Sequence, residues 1–269
     1  MEQDTFDYTV EQFADLQILR YRVKGFENLS LRQKKLVYYL SEAALEGRDI
    51  LFDQNGKYNL QIRRLLESVW VNYRGDRSAE EFKSLEIYLK RVWFSNGIHH
   101  HYACDKFVPG FTAGYLRRVL DSIEPQLLPL QEGESVEAMC SKLFPVIFDP
   151  DVMPKRVNQA DGDDLVLTSA ANYYEGVTQQ EAEEFYAAQK RADDPEPVMY
   201  GMNSRLVKKD GKIREEVWKV GGMYSAAIEK IIGWLEKART VAENDRQQNV
   251  ISLLIDFYRT GDLKTFDAY

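Results

Sequence analysis

Residues Tyr88–Phe111 read YLKRVWFSNGIHHHYACDKFVPGF and join the end of a helix to a loop of unusual composition. Apolar residues recur at helical spacing up to residue 93, which predicts a helix with one buried face. These residues are Phe82, Leu85, Leu89, Val92 and Trp93. We expect Asn96-Gly97 to end this helix, because both residues tolerate the left-handed backbone found at helix C-termini. The stretch therefore predicts an abrupt change from helix to loop at residue 96.

The loop after Gly97 carries all three histidines of the chain, which are followed by Tyr102 and Cys104. A loop buries few of its aromatic rings, and binding residues are often found on loops held by a rigid scaffold. We therefore expect this loop to line a cleft. The alternative is a solvent-exposed loop with a chance run of histidines.

A metal site is a further hypothesis for the histidine run. Neighbouring residues of an extended segment point to opposite sides, so His99 and His101 can share a face while His100 cannot join them. These two with Cys104 or Asp105 would supply ligands, but zinc sites usually draw theirs from separated, rigid positions. We expect no metal to be bound to this chain.

Composition indicates a globular protein. The 269 residues are 44% hydrophobic and 29% charged, with a net charge of -8. That balance argues against nucleic acid as a partner, because phosphate binding needs clustered Lys and Arg. No apolar run reaches the length of about 18 residues that a transmembrane helix needs, so no membrane partner is expected. Two cysteines without a disulfide framework favour the cytoplasm, or the periplasm if an export signal has been removed.

The predicted fold class is α+β, helix-rich towards the N-terminus. We divide the chain into a helical region over 1–124 with a cleft loop at 95–111, a mixed region over 125–222, and a helical pair over 223–269, all within one lobe. Ser30 with Gln33 and Thr178 with Glu181 have the spacing of capping boxes that begin helices. Asp210-Gly211 predicts a tight hairpin turn between strands in 198–220.

Three further segments have local patterns of their own. Thr9 with Gln12 also has capping-box spacing, which predicts a helix with Phe13, Leu16 and Leu19 facing inward. Residues 146–149 (VIFD) and 164–170 (DLVLTSA) are rich in β-branched and apolar residues, which predicts two short strands.

The search for catalytic motifs finds little. Gly221-Gly222 lacks the spacing and the lysine of a phosphate-binding loop, and no nucleophile elbow is present. Glu183 and Glu184 are adjacent carboxylates, but acidic residues near a helix N-terminus usually form a solvated face that complements the helix dipole.

Three segments together resemble the dipeptidyl peptidase III family. SNGIHHHYACDKFVPGF (95–111) is similar to a family segment with the DKFVP ending. FADLQILRYRVKGFENLSLRQKKLVYYLSEAALEGRDILFDQNGKYN (13–59) resembles its N-terminal region in the bacterial, Bacteroides-like form. GGMYSAAIEKIIGWLEKARTVAENDRQQNVISLLIDFYRTGDLKTFDAY (221–269) resembles a helical pair of the family.

The resemblance implies a two-lobed zinc peptidase that releases dipeptides from the N-termini of short peptides. In that family an HExxGH helix supplies two histidine ligands and the general base, and a second helix supplies a glutamate ligand. This chain has no His-Glu dipeptide, so it resembles the metal-free lobe, with helices packed on a small antiparallel, β-barrel-like sheet. Zinc is then expected in the full-length family enzyme, and the missing C-terminal catalytic lobe is the implied partner.

The resemblance also implies that the loop forms one wall of the substrate cleft. The candidate substrate-binding residues are Asn96, Gly97, His99, His101, Tyr102 and Lys106. Tyr102 matches an aromatic residue of the family's cleft, whereas the family usually has other residues at positions 99–101. No catalytic residue is assigned.

The sequence is compatible with two functions. The chain is either a fragment of a dipeptidyl peptidase, without activity of its own, or a stand-alone peptide-binding or interaction module. The last residues, LKTFDAY, resume an amphipathic pattern and then stop, which favours the fragment.

Overall fold

A computed structural model describes residues 6–269, and its fold is helix-rich α+β, as predicted. The strands are β1 Thr9–Phe13, β2 Leu16–Leu19, β3 Tyr174–Glu175, β4 Ser204–Lys209 and β5 Lys212–Val217. The first helices are α1 Leu31–Glu46, α2 Arg48–Asn55, α3 Asn59–Asn72, α4 Glu80–Ser95, α5 Ala113–Asp121 and α6 Val136–Phe148. The remaining helices are α7 Gln179–Ala187, α8 Ser225–Thr240, α9 Asp245–Thr260 and α10 Leu263–Ala268. None of the helices in 6–269 is both long and apolar enough to span a membrane.

The largest core lies among α3, α4, α5 and α6. Each helix presents apolar residues three or four positions apart, so their buried faces meet in one cluster. Its fully buried members include Ile62, Leu65, Leu66, Val69, Leu85, Val92, Leu116, Met139, Leu143 and Ile147. This core supports the loop that follows α4.

A second core joins distant parts of the chain. Leu36 of α1 packs with Ile228, Ile232 and Leu235 of α8 and with Ile255 of α9. The N-terminal helix is therefore held by the C-terminal helical pair. The division into three regions by sequence stays a prediction, and its first five residues lie outside the described part of the chain.

Two small open sheets account for the strands. β1 and β2 form an antiparallel pair, and the second sheet has the order β3-β4-β5, with β3 parallel and β5 antiparallel to β4. The described residues contain no closed sheet, so the barrel-like feature is not confirmed. The larger of the two sheets has three strands, one of them only two residues long, which is too few to close a barrel. The Asp210-Gly211 turn is confirmed, with φ of 52° and 73° at its two residues.

The helix predicted from Thr9 is wrong, since this segment is the β1–β2 hairpin. The Thr9 hydroxyl accepts a hydrogen bond from Gln17 Nε2 across the hairpin, at 3.0 Å, instead of capping a helix. Ala14 adopts a left-handed φ of 47° at the turn between the strands. Long-range pairing has overridden a local capping pattern here.

Both predicted short strands are also wrong. Residues 146–148 continue α6, because Val146 and Ile147 lie on the same buried face as Leu143. Residues 164–170 form turns, because the Asp164 carboxylate accepts hydrogen bonds from the backbone N–H groups of Val166 and Leu167. A short polar side chain that binds its own backbone in this way favours a turn over a strand.

The end of α4 is confirmed at the predicted place. Asn96 has a left-handed φ of 51°, and Gly97 N–H donates to Val92 O at 3.0 Å. Trp93 departs from its predicted buried face: its side chain is 40% exposed, and Nε1 donates to Glu67 Oε1 at 2.9 Å.

Replacing Gly97 with Ala should destabilise the protein strongly. The φ of Gly97 is 151°, and an added Cβ would lie 2.3 Å from Asn59 Nδ2. Backbone conformations of this kind cost a non-glycine residue about 1–3 kcal/mol, and the clash adds to that cost. We expect Gly97→Ala to lower the free energy of unfolding by about 3 kcal/mol or more, measured by urea denaturation.

Gly162→Ala is the matched control, because Gly162 also has a positive φ of 88° but no atom within 4 Å of the added Cβ. It should cost only about 1–2 kcal/mol, the penalty for a left-handed residue alone. Equal losses in the two variants would show that Asn59 does not restrict this turn.

Candidate functional site

The loop after α4 is a short hairpin over residues 98–107. Phe107 N–H donates to Ile98 O at 2.9 Å, and His100 N–H donates to Asp105 O at 2.7 Å. The tip over 101–104 is tight, with a left-handed φ of 62° at Cys104. Ile98 and Phe107 are buried at the base, so the loop stands on the main core with its tip directed outward.

A second segment, residues 153–157, runs alongside this hairpin. Lys106 N–H donates to Pro154 O at 3.0 Å, and Arg156 N–H donates to Cys104 O at 2.8 Å. The Arg156 guanidinium also donates to His101 O at 3.0 Å. The two segments together form a small platform that holds the tip in place.

His99 is buried beneath this platform. Its Nε2 lies 2.8 Å from Met153 O, and since a carbonyl only accepts, Nε2 carries the proton. Burial lowers the pKa of His99 to about 4, because the charged imidazolium would lose its hydration. His99 is therefore a neutral side chain that ties the loop to the neighbouring segment.

Lys106 binds the carboxyl end of α6. Its ammonium donates to Val146 O at 3.2 Å, to Val152 O at 2.5 Å, and to Asp149 O. Carbonyls at a helix C-terminus lack partners within the helix, so a cation there satisfies them and complements the helix dipole. Burial lowers the pKa of Lys106.

Asn96 and Gly97 are likewise engaged within the chain. Asn55 Nδ2 donates to Asn96 O at 3.1 Å. Ile98 N–H donates to Asn59 Oδ1 at 3.3 Å, which holds that side chain against Gly97. Four of the six candidate substrate-binding residues thus have structural contacts, and their role towards substrate stays a prediction.

The other two candidates, His101 and Tyr102, lie at the tip. Tyr102 is 85% exposed, and the His101 ring packs edge-on against Phe94 at 4.9 Å. A groove of about 320 Å³ runs between the tip and the next segment. It is lined by Tyr102, Ala103, Cys104, Lys155, Val157, Asn158, Gln159 and Ala160. An aromatic ring beside an ammonium group and an exposed amide suits the binding of an extended peptide.

Sequence reasoning missed a polar network at the junction of α2, the second sheet and α8. The Asp53 carboxylate accepts hydrogen bonds from Tyr224 OH at 2.6 Å and from Asn172 Nδ2 at 3.0 Å. Asn172 Oδ1 in turn accepts from Arg205 Nη1 at 3.1 Å. Tyr224 precedes α8 with a left-handed φ of 65°. Its position two residues after Gly222 was a local signal of an unusual turn, but nothing local linked it to Asp53.

An apolar crevice of about 370 Å³ lies beside this network. It is lined by Ile50, Met202, Trp218, Tyr224, Ile231, Phe257, Tyr258 and Phe266, among others. Its lining contains few polar groups, so it is better suited to apolar packing than to catalysis.

The histidine run does not fit a metal. His99 Nε2 is already bound to Met153 O, and the described residues contain no group of three or more His, Cys, Asp or Glu side chains placed to hold an ion.

Comparison with known proteins finds two similarities, one to a peptidase family model and one to a solved structure. The model of peptidase family M49 matches residues 170–269. A search of curated protein sequences finds no significant match. The fold is similar to the structure of DPP III from Caldithrix abyssi, with a TM-score of 0.51 and 17% sequence identity over 88% of this chain. The chain spans 32% of that protein's length.

The predicted resemblance to the dipeptidyl peptidase III family is therefore confirmed. It rests on the family model for residues 170–269 and on the fold for most of the chain. The loop over 98–107 lies outside the segment that the family model matches.

Replacing Lys106 with Met should destabilise the fold. The change keeps the aliphatic stem but leaves the carbonyls of 146, 149 and 152 without their shared donor. Hydrogen bonds from charged groups contribute about 1.5–3 kcal/mol, so we expect a loss of about 2 kcal/mol in the free energy of unfolding. Urea denaturation followed by circular dichroism measures it.

Lys155→Met is the control, because Lys155 forms only an exposed ion pair with Asp105. Such pairs contribute about 0–1 kcal/mol, so this variant should unfold near the wild-type midpoint. A Lys106→Met variant as stable as the control would show that Lys106 is free to serve as a substrate contact.

Proposed function

We propose that this chain is the metal-free lobe of a two-lobed, zinc-dependent dipeptidyl peptidase III, in which it forms one wall of the peptide cleft. The proposal rests on the agreement of two findings: the M49 family model matches residues 170–269, and the fold of most of the chain is similar to that of DPP III. The reaction would be the release of dipeptides from the N-termini of short peptides.

The groove beside the loop tip supports a role in binding. Tyr102 offers a flat apolar face with a polar hydroxyl, and the lining also includes the Gln159 amide and Lys155, which is ion-paired with Asp105. The tip is held by a platform of backbone hydrogen bonds and by the buried His99, so its shape is set before a peptide arrives. A preformed wall of this kind lowers the entropic cost of binding.

Catalysis would come from the lobe that carries HExxGH. When bound there, zinc would polarise the scissile carbonyl and activate water. The residues of this chain would only bind and orient the peptide, because His99 is held on Met153 O and Lys106 is held on Val146 O of α6. We therefore expect the chain by itself to bind peptides without cleaving them.

The isolated chain should not hydrolyse a dipeptidyl arylamide, even with added zinc, because a Lewis acid and a positioned base each contribute orders of magnitude to the rate. Release of the arylamine, followed by fluorescence, measures this. Hydrolysis that depends on this chain, with or without added zinc, would contradict the proposal.

In the full-length enzyme, Tyr102→Ala should raise KM about fivefold or more with less change in kcat. The lost aromatic contact contributes about 1 kcal/mol and acts on substrate and transition state alike. Tyr21→Ala is the control, since Tyr21 is also exposed but lies in the N-terminal segment after β2. Identical kinetics for the Tyr102 and Tyr21 variants on several peptides would show that Tyr102 does not contact the peptide.

A further inference from the structure

His100 holds the tip of the loop by accepting two backbone hydrogen bonds. Tyr102 N–H and Ala103 N–H both donate to His100 Nδ1, at 3.1 and 3.0 Å. The ring is thus enclosed by the turn that presents Tyr102 to the groove. Neither His99 nor His101 makes an equivalent contact with this turn.

These two bonds require a neutral imidazole. A ring nitrogen accepts a hydrogen bond only through its lone pair, so Nδ1 of His100 carries no proton in this structure. Protonation would place an N–H at Nδ1 directly against two other N–H groups. Both acceptor bonds would then be lost and replaced by repulsion.

The surroundings of His100 contain charges of both signs. Asp15, at the turn of the β1–β2 hairpin, lies within electrostatic reach of His100 and is paired with Arg91 of α4 at 2.9 Å. The His101 ring stacks on His100, with centroids 4.4 Å apart. Arg156 binds the loop from the side, and its charge lies within electrostatic reach of His101. Asp105 of the same loop forms an ion pair with Lys155. Lys106 of the same loop is also cationic, and its ammonium binds the carbonyls of Val146 and Val152.

We infer that His100 is a pH-dependent anchor of residues 101–104: the neutral ring holds Tyr102 at the groove, and protonation releases the tip. Release would weaken peptide binding by this wall as the pH falls from 8 to 5, the range in which histidines usually change charge. The statement about peptide binding rests on the proposed function, whereas the statement about the tip does not.

Hydrogen exchange of the Tyr102 and Ala103 amides tests the anchor in the chain itself. After correction for the intrinsic pH dependence of exchange, their protection should fall about tenfold or more between pH 8 and pH 5. The amide of Phe107, which donates to Ile98 O at the base of the loop, should keep its protection and serves as an internal reference.

Three variants separate the anchor from other effects. His100→Asn places a side-chain oxygen near the position of Nδ1 and does not titrate, so protection should be retained at both pH values. His100→Ala should lose protection at both. His101→Asn removes the stacked ring but leaves the anchor, so the pH dependence should remain.

Equal protection of the wild-type tip at pH 5 and pH 8 would overturn the inference, as would a His100→Asn variant that loses protection in acid as the wild type does. Titration with a short peptide then separates the two proposals. If the tip responds to pH as described but no peptide binds at pH 8, the anchor stands and the proposed function fails.

Discussion

The loop depends on one backbone constraint, the left-handed end of α4 against Asn59. Asn96 ends the helix, and Gly97 then adopts a conformation that a residue with a Cβ could hold only by displacing the Asn59 side chain. The reversal directs Ile98 into the main core and starts the hairpin whose tip carries Tyr102. Because α3 supplies Asn59 and α4 supplies the helix end, the packing of these two helices determines where the loop stands.

The side chains of the loop have two roles: some hold the loop in place, and others are exposed where a ligand could bind. At its base, the buried His99 and the half-buried Lys106 bind carbonyls of the segment over 146–153 and are unsuited to meet a ligand. The exposed tip carries the aromatic ring, and His100 links the tip to its base through two backbone amides. A residue type typical of active sites, such as histidine or lysine, is thus used here mainly to hold a binding surface in shape.

Local signals predicted local structure well. Both capping boxes are present in the structure, with the Ser30 and Thr178 hydroxyls accepting from the N–H groups of Gln33 and Glu181. These caps, the Asp210-Gly211 turn and the helix end at Asn96 were all predicted correctly, since each depends on residues within four positions. The β1–β2 hairpin was missed because its pairing competes with a capping pattern. The partners of Lys106 and the Asp53–Tyr224 contact were also missed, since they lie about 40 and 171 residues away along the chain. The family resemblance came from ordered motifs, and no periodicity would have supplied it.

The central claim is that the loop tip and the segment beside it form a peptide-contacting wall. Amide hydrogen exchange of the chain at pH 8, with and without a saturating short peptide, tests it most directly. The account predicts that added protection is confined to residues 101–104 and 155–160. Protection that appears instead around the apolar crevice at Trp218, or no protection at a concentration that saturates binding, would contradict it.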